Sequence, residues 1–129
     1  MENLEHALKV LKPEIKNIRT VSEWAVIMGF SDTKYFARLF RRHFGLTCKE
    51  ALIKVRVETL FDCVKKNPNQ KNYCNAKDIG LPDEVALNKY LRKHIGKNPT
   101  EFKAEIRQGI LTKSTIWKNG VVKKDNNLR

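Results

Sequence analysis

The chain repeats one long segment of itself. Residues 29–56 align without a gap onto residues 80–107, at an offset of 51 positions, and 7 of the 28 pairs are identical. The identical pairs are Gly29/Gly80, Asp32/Asp83, Arg41/Arg92, His43/His94, Gly45/Gly96, Glu50/Glu101 and Arg56/Arg107. Stacked repeat arrays of similar period need about three or more copies to bury a continuous core. Two copies instead predict a paired module that presents one type of surface twice.

Composition limits the size and the partners of such a module. The 129 residues, 41% of them apolar, suffice for one domain or for two small subdomains that share a core. Lys and Arg outnumber Asp and Glu by 26 to 14, a net charge of +12. This excess predicts a polyanionic partner, with nucleic acid favoured over anionic lipid. Without a signal peptide or an apolar run of about 18 residues, the chain is expected to be soluble and intracellular, with no membrane partner.

Residues that could carry catalysis or bind a metal are scattered. The three cysteines have no CxxC spacing, and we expect them to be reduced thiols. No glycine-rich phosphate loop, metal cluster or nucleophile motif is present in the sequence. We therefore predict a protein that is not an enzyme and has no cofactor. The isolated residues are Cys48, Cys63, Cys74, His6, His43 and His94.

Helix-start signals recur along the chain. Capping boxes begin at Thr20 and Thr47, and Asn98 starts a third, with proline at the first helical position. Ser31 or Asp32, and Asn75, are further cap candidates. The predicted helices are 3–12, 21–28, 32–44, 48–66, 75–79, 83–95 and 99–107. In the fourth, one apolar stripe predicts a core helix that both copies share, formed by Ile53, Val57, Leu60, Phe61 and Val64.

The fold class follows as all-α, with about seven helices. We predict a first subdomain at residues 1–47, a linker helix at 48–68, a second subdomain at 69–107 and a tail at 108–129. In the tail, Asn119-Gly120 between apolar pairs favours a short hairpin, although a lone hairpin is marginally stable in water. The tail is therefore expected to pack as a hairpin on the helices or to be disordered.

Each copy has the spacing of a helix-turn-helix, whose second helix can enter the DNA major groove. In helix 32–44, we expect the apolar residues to face inward and the polar ones outward. Arg suits guanine edges, whereas cations one turn later suit phosphate. The inward set is Tyr35, Phe36, Leu39, Phe40 and Phe44. The base-reading candidates are Thr33, Lys34, Ala37 and Arg38, and the phosphate candidates are Arg41 and Arg42.

The second copy carries fewer cations at the start of its helix. Asp83 and Glu84 stabilise a helix N-terminus but repel phosphate, so this helix is expected to bind mostly through its basic end. Asn88 suits adenine, and Val85 suits a thymine methyl group. The base-reading candidates are Glu84, Val85, Asn88 and Lys89, and the phosphate candidates are Arg92 and Lys93.

The stretch GFSDTKYFARLFRRHFG resembles the signature of AraC/XylS-type transcriptional regulators, and NPTEFK resembles their closing segment. The resemblance covers about residues 3–107. It implies two helix-turn-helix subdomains that read neighbouring major-groove segments of double-stranded DNA through the eight base-reading candidates. It also implies a bacterial, cytoplasmic, nucleoid-associated regulator that binds DNA as a monomer, with RNA polymerase as a further candidate partner.

Two questions stay open at this stage. The sequence is compatible with a compact regulator or with a piece of a longer one, because the sensory domain of most such regulators is not visible. The alternative function is a helical protein-interaction module derived from such a domain, with weak or no DNA binding. The target genes, the direction of regulation and the oligomeric state do not follow from the residues.

Overall fold

The computed structural model describes residues 4–112 and Thr115 and contains seven α-helices. Within these residues no strand forms, so the all-α prediction is confirmed, whereas the predicted hairpin lies outside them. None of the described helices has the length and apolar character needed to cross a membrane. The helices are α1 (Ala7–Leu11), α2 (Val21–Ile27), α3 (Thr33–Phe44), α4 (Cys48–Lys66), α5 (Asn72–Asp78), α6 (Glu84–His94) and α7 (Pro99–Arg107).

Local hydrogen bonds fix where most helices begin. All three predicted capping boxes form; at the first, Thr20 Oγ1 accepts from the Glu23 amide at 3.1 Å, and the Glu23 carboxylate accepts from the Thr20 amide at 3.3 Å. Asp32 caps α3 by accepting from the amides of Lys34 and Tyr35. Such caps stabilise a helix by about 1 kcal/mol each.

Two predicted helices differ from the observed ones. Helix α5 spans Asn72–Asp78, whereas the prediction was 75–79. It begins directly after Lys71, whose side chain does not cap it. Asn75 is therefore not a cap: it is fully buried within α5, and its Oδ1 accepts from Gln70 Nε2 at 3.0 Å. Segment 3–12 was predicted as one helix. Its described part is a 3-10 turn at Leu4–His6 that continues into the short α1.

The helices enclose two hydrophobic clusters, and α4 contributes to both. Ala51 and Leu52 belong to the first cluster, whereas the apolar stripe predicted from Ile53 to Val64 is buried in the second. The first cluster is aromatic, with the ring centroids of Trp24 and Phe36 5.3 Å apart. Its other fully buried aromatic residue is Phe40, and the second cluster is built on Leu60, Ile79, Leu87, Leu91 and Phe102. The two copies therefore share one supporting helix but have different cores.

One position shows this difference directly. Trp24 and Asn75 are 51 positions apart, occupy equivalent helices and are both fully buried. The Trp24 indole donates to the Ala7 carbonyl oxygen at 3.3 Å, whereas the Asn75 Nδ2 atom has no hydrogen-bond partner among the residues that the structure describes. An unpaired buried amide costs about 1–3 kcal/mol. The second core is thus the less well satisfied of the two.

Two residues join the copies at what we call the junction, the contact of Arg56 and Gly80 with the 15–19 segment. The Arg56 guanidinium donates from Nη2 to the carbonyl oxygens of Ile18 and Arg19, at 3.0 and 2.9 Å. Its Nε donates to the Ile79 carbonyl oxygen at 3.1 Å. Gly80 has φ +87°, and a Cβ there would lie 2.6 Å from the Ile15 carbonyl oxygen. These contacts fix the position of one helix-turn-helix relative to the other.

All three cysteines are free thiols. Burial raises the pKa of the Cys48 thiol to about 12, so this group stays protonated at neutral pH. Burial also raises the pKa of Cys63, with the nearby Asp78 and Asp62 carboxylates adding to the effect. Cys74 is exposed on α5. The described residues hold no group of three or more ligands that could bind a metal ion.

Candidate nucleic-acid interface

Helix α3 presents a basic face because its apolar residues anchor the other side. Phe36 and Phe40 are fully buried. Thr33 and Ala37 are half-buried at the edge of the buried stripe, as are Leu39 and Phe44. The four cations of the predicted face are exposed; they are Lys34, Arg38, Arg41 and Arg42. The structure therefore brings the predicted residues of α3 onto one accessible surface.

The carboxylates of the described residues do not neutralise this face. Within the described part of the chain, none of the four cations lies within 4.0 Å of a carboxylate oxygen. The acidic residue that starts the helix, Asp32, already accepts two backbone amides. Four unpaired charges on about three turns of helix create a positive potential that attracts anions.

Tyr35 was predicted to face inward, and that prediction is wrong: the residue is 46% exposed. It stands one position before Phe36, about 100° away around the helix, so it falls at the margin of the buried stripe. Its ring packs against Phe30, with centroids 6.1 Å apart. The Arg38 guanidinium carbon lies 5.7 Å from the Tyr35 ring centroid. Tyr35 thus supports Arg38 through a cation–π contact.

Ser22 lies beside the predicted base-reading face, although the sequence reasoning did not single it out. The Thr33 hydroxyl donates to Ser22 Oγ at 3.1 Å, which links the two helices of the first helix-turn-helix. The capping box explains Thr20 and Glu23 but leaves Ser22 exposed at the same helix end. Ser22 could have been identified from the sequence as a hydroxyl in the first turn of α2 that the capping box does not use.

Helix α6 divides its predicted residues between two faces. Glu84, Val85 and Asn88 line an open groove of about 300 Å³ beside the start of α7. Lys89 and Lys93 line a different groove, next to Tyr90. The predicted base-reading set of the second copy is therefore not brought together as it is in the first.

Two predicted residues of α6 are bound to each other. Arg92 Nε donates to Asn88 Oδ1 at 2.9 Å, so the amide oxygen of this candidate base reader is occupied.

Tyr73 on α5 is exposed and was not predicted as part of the site. Its ring centroid lies 5.7 Å from Lys77 Nζ. It stands 51 positions after Ser22. It is thus the equivalent of Ser22 in the second copy, and the sequence reasoning singled out neither residue.

Comparison with solved structures identifies the fold. The chain superposes on the DNA-binding domain of AdpA, a global transcriptional factor solved in complex with a target DNA, with a TM-score of 0.67. The match covers 84% of this chain and 96% of that domain, at 20% sequence identity. The two-subdomain, all-helical fold joined by α4 is thus one that a solved protein also adopts.

Comparison of sequences gives a match over a shorter part of the chain. The chain is 27% identical over 73 residues to the Msm operon regulatory protein of Streptococcus mutans. The matched segment is 57% of this chain but 26% of that protein, so the chain corresponds to about a quarter of its relative's length. No protein-family model matches the chain.

Proposed function

We propose that the chain is a sequence-specific regulator of transcription that binds double-stranded DNA by inserting α3 and α6 into adjacent major-groove segments. The observation that carries the proposal is the face of α3: four exposed cations, unpaired among the described residues, on the second helix of a helix-turn-helix. The similarity to a DNA-binding domain solved on its target, and to an operon regulatory protein, supports it.

The length of α4 is compatible with two neighbouring insertions. Its 19 residues rise about 28 Å, against about 34 Å for one turn of B-DNA. A modest bend of the DNA closes the difference. One chain could then read a bipartite site, so the proposal does not require a dimer.

The residue roles differ between the copies. We assign base reading in the first copy to the early face of α3, and phosphate binding to its basic end. In the second copy, the acidic start of α6 and the bond between Arg92 and Asn88 favour a smaller contribution to base reading. The assigned base readers are Thr33, Lys34, Ala37, Arg38, Glu84, Val85, Asn88 and Lys89. The assigned phosphate contacts are Arg41, Arg42, Arg92 and Lys93.

The proposal has further parts. Residues 1–47 and 69–107 would each form one DNA-reading subdomain, with 48–68 as the linker. We also propose a bacterial, nucleoid-associated location, RNA polymerase as a second partner and no catalytic activity. The similarity to the operon regulatory protein of Streptococcus mutans supports the bacterial location.

A salt titration tests DNA binding. Each neutralised phosphate contributes about −0.9 to the slope of log affinity against log salt. The four assigned phosphate contacts predict a slope near −3.6 and a loss of roughly 100-fold between about 50 and 200 mM salt. Fluorescence anisotropy on a labelled duplex measures it. Absence of binding to any duplex, or a flat response, would favour the protein-interaction module.

A pair of alanine variants tests the roles on α3. We expect Arg38→Ala to reduce discrimination between the preferred duplex and its single-base variants by about 1–3 kcal/mol at one base pair. Arg42→Ala should weaken all duplexes alike and reduce the salt slope by about 1. The preferred duplex comes from selection on a random pool. If Arg38→Ala behaves like Arg42→Ala, the assignment of base reading to Arg38 is wrong.

A further inference from the structure

A cleft of about 210 Å³ lies where the start of α2 meets α4 and α6. Three cationic side chains line it: Arg19, Lys49 and Arg56. Its described lining residues include no carboxylate, whereas the grooves of about 300 Å³ beside α7 and about 440 Å³ beside α5 each include one. The cleft is therefore a concentrated positive site away from the exposed face of α3.

Arg56 is the buried cation of this cleft. It is 6% exposed, and among the described residues no carboxylate oxygen lies within 4.0 Å of it. Its three hydrogen bonds to carbonyl oxygens use Nε and Nη2. Carbonyl dipoles solvate a charge but do not neutralise it, and buried charges are normally paired. Arg56 thus has donors and charge available for an anion.

Tyr90 brings a second donor to the cleft. Its hydroxyl oxygen is buried, and among the described residues it has no partner with good hydrogen-bond geometry. The Arg56 guanidinium lies close by, with its carbon 5.4 Å from the ring centroid, and is the nearest donor to this oxygen. Burial raises the pKa of Tyr90, although Arg56 opposes the effect, so the hydroxyl is protonated and can donate at neutral pH. A buried hydroxyl without a partner indicates a missing water or ligand.

The far side of Tyr90 has the same character. A neighbouring groove shares Tyr90 and His94 with the cleft and adds Lys89 and Lys93, again without a carboxylate. The backbone amides of Arg19 and Thr20 already donate to the Glu23 carboxylate, so these two amides are not available to donate to an anion. Side chains alone would have to bind the anion.

We propose that this cleft binds one oxyanion, a phosphate or carboxylate group, through Lys49, Arg56 and the Tyr90 hydroxyl. The oxyanion belongs either to a free small molecule or to a phosphate of the DNA backbone between the two inserted helices. Bound at the junction, it contacts elements of both copies and stabilises one arrangement of the two helix-turn-helix units. The free-anion case does not depend on the proposed function.

Inorganic phosphate is the probe for the first test. Amide chemical shifts of the full chain are followed by NMR as phosphate is added, with chloride at matched ionic strength as the reference. We expect saturable shifts confined to residues around the cleft. Lys49→Gln and Tyr90→Phe should each weaken phosphate binding about three- to ten-fold, as the net loss of one typical hydrogen bond predicts. Lys65→Gln makes the same charge change on an exposed residue of α4. It should change the affinity for phosphate by no more than about two-fold relative to the unchanged protein.

Duplex binding separates the two sources of the anion. If the site takes DNA phosphate, Lys49→Gln should weaken duplex binding more than Lys65→Gln, and added phosphate should compete beyond the chloride reference. If the anion is free, the two variants should bind duplex equally, while the phosphate shifts persist. The proposal is overturned if phosphate gives no saturable shifts at the cleft and the two lysine variants also bind duplex alike.

Discussion

Gly80→Ala is expected to lower the free energy of unfolding by about 2–5 kcal/mol, because two costs add. A side chain at φ +87° is strained by about 1–2 kcal/mol. The new Cβ would also lie 2.6 Å from the Ile15 carbonyl oxygen and 3.2 Å from that of Ile18, and both are backbone atoms. Relieving that overlap requires the copies to move apart. Urea unfolding followed by circular dichroism measures the loss.

The repeat supplies a matched control for this variant. Gly29 is the equivalent residue of the first copy and has φ +89°, but no heavy atom of the described part of the chain would lie within 4 Å of an added Cβ. Gly29→Ala should therefore cost only the strain, about 1–2 kcal/mol. The difference between the two variants isolates the contact at the junction. Equal losses would mean that the 15–18 segment yields without cost.

Arg56→Met should lower the free energy of unfolding by about 2–4 kcal/mol. The change leaves the carbonyl oxygens of Ile18 and Ile79 without the donors they now have. Removal of a buried charge offsets part of that loss. Arg107→Met is the control, since Arg107 is the exposed equivalent in the second copy and should change stability by about 0.5 kcal/mol or less. Similar losses in both variants would contradict the structural role of Arg56.

The same variant has a second, functional readout under the proposed function. If Arg56 fixes the two helix-turn-helix units relative to each other, one base pair inserted between the half-sites should weaken binding strongly in the unchanged protein. Folded Arg56→Met should show a smaller penalty for the insertion, because its two units can adjust. Anisotropy on paired duplexes measures both penalties. An unchanged penalty would mean that α4 alone sets the spacing.

Local chemistry explains what the sequence predicted well. Capping boxes and cap residues depend on contacts between residues three positions apart, so the starts of α2, α3, α4 and α7 could be predicted directly. Gly29 and Gly80 follow α2 and α5 with positive φ, the conformation in which glycine commonly ends a helix. The exposure of Lys34 and Arg38 follows from one helical period. These signals need no knowledge of how the helices pack.

The features that the sequence did not predict depend on tertiary structure. Arg56 looked like an ordinary residue of a linker helix, since nothing local indicates that its partners are carbonyl oxygens 23 to 38 positions away. Asparagine is a preferred helix cap, which is why the sequence indicates a cap at Asn75, yet this residue fills the buried place that tryptophan has in the first copy. Helix α5 could have been placed correctly, because Asn72–Asp78 repeats Val21–Ile27 at the same offset.

The division of α4 between two cores has a consequence for how the molecule can come apart. A cut anywhere within this helix would expose apolar side chains of one core or the other to water. Neither copy carries a complete core without residues from α4. We therefore expect the two halves to unfold in one cooperative step and to share their stability. The sequence therefore contains the helix-turn-helix unit twice, but we do not expect either copy to fold independently of the other.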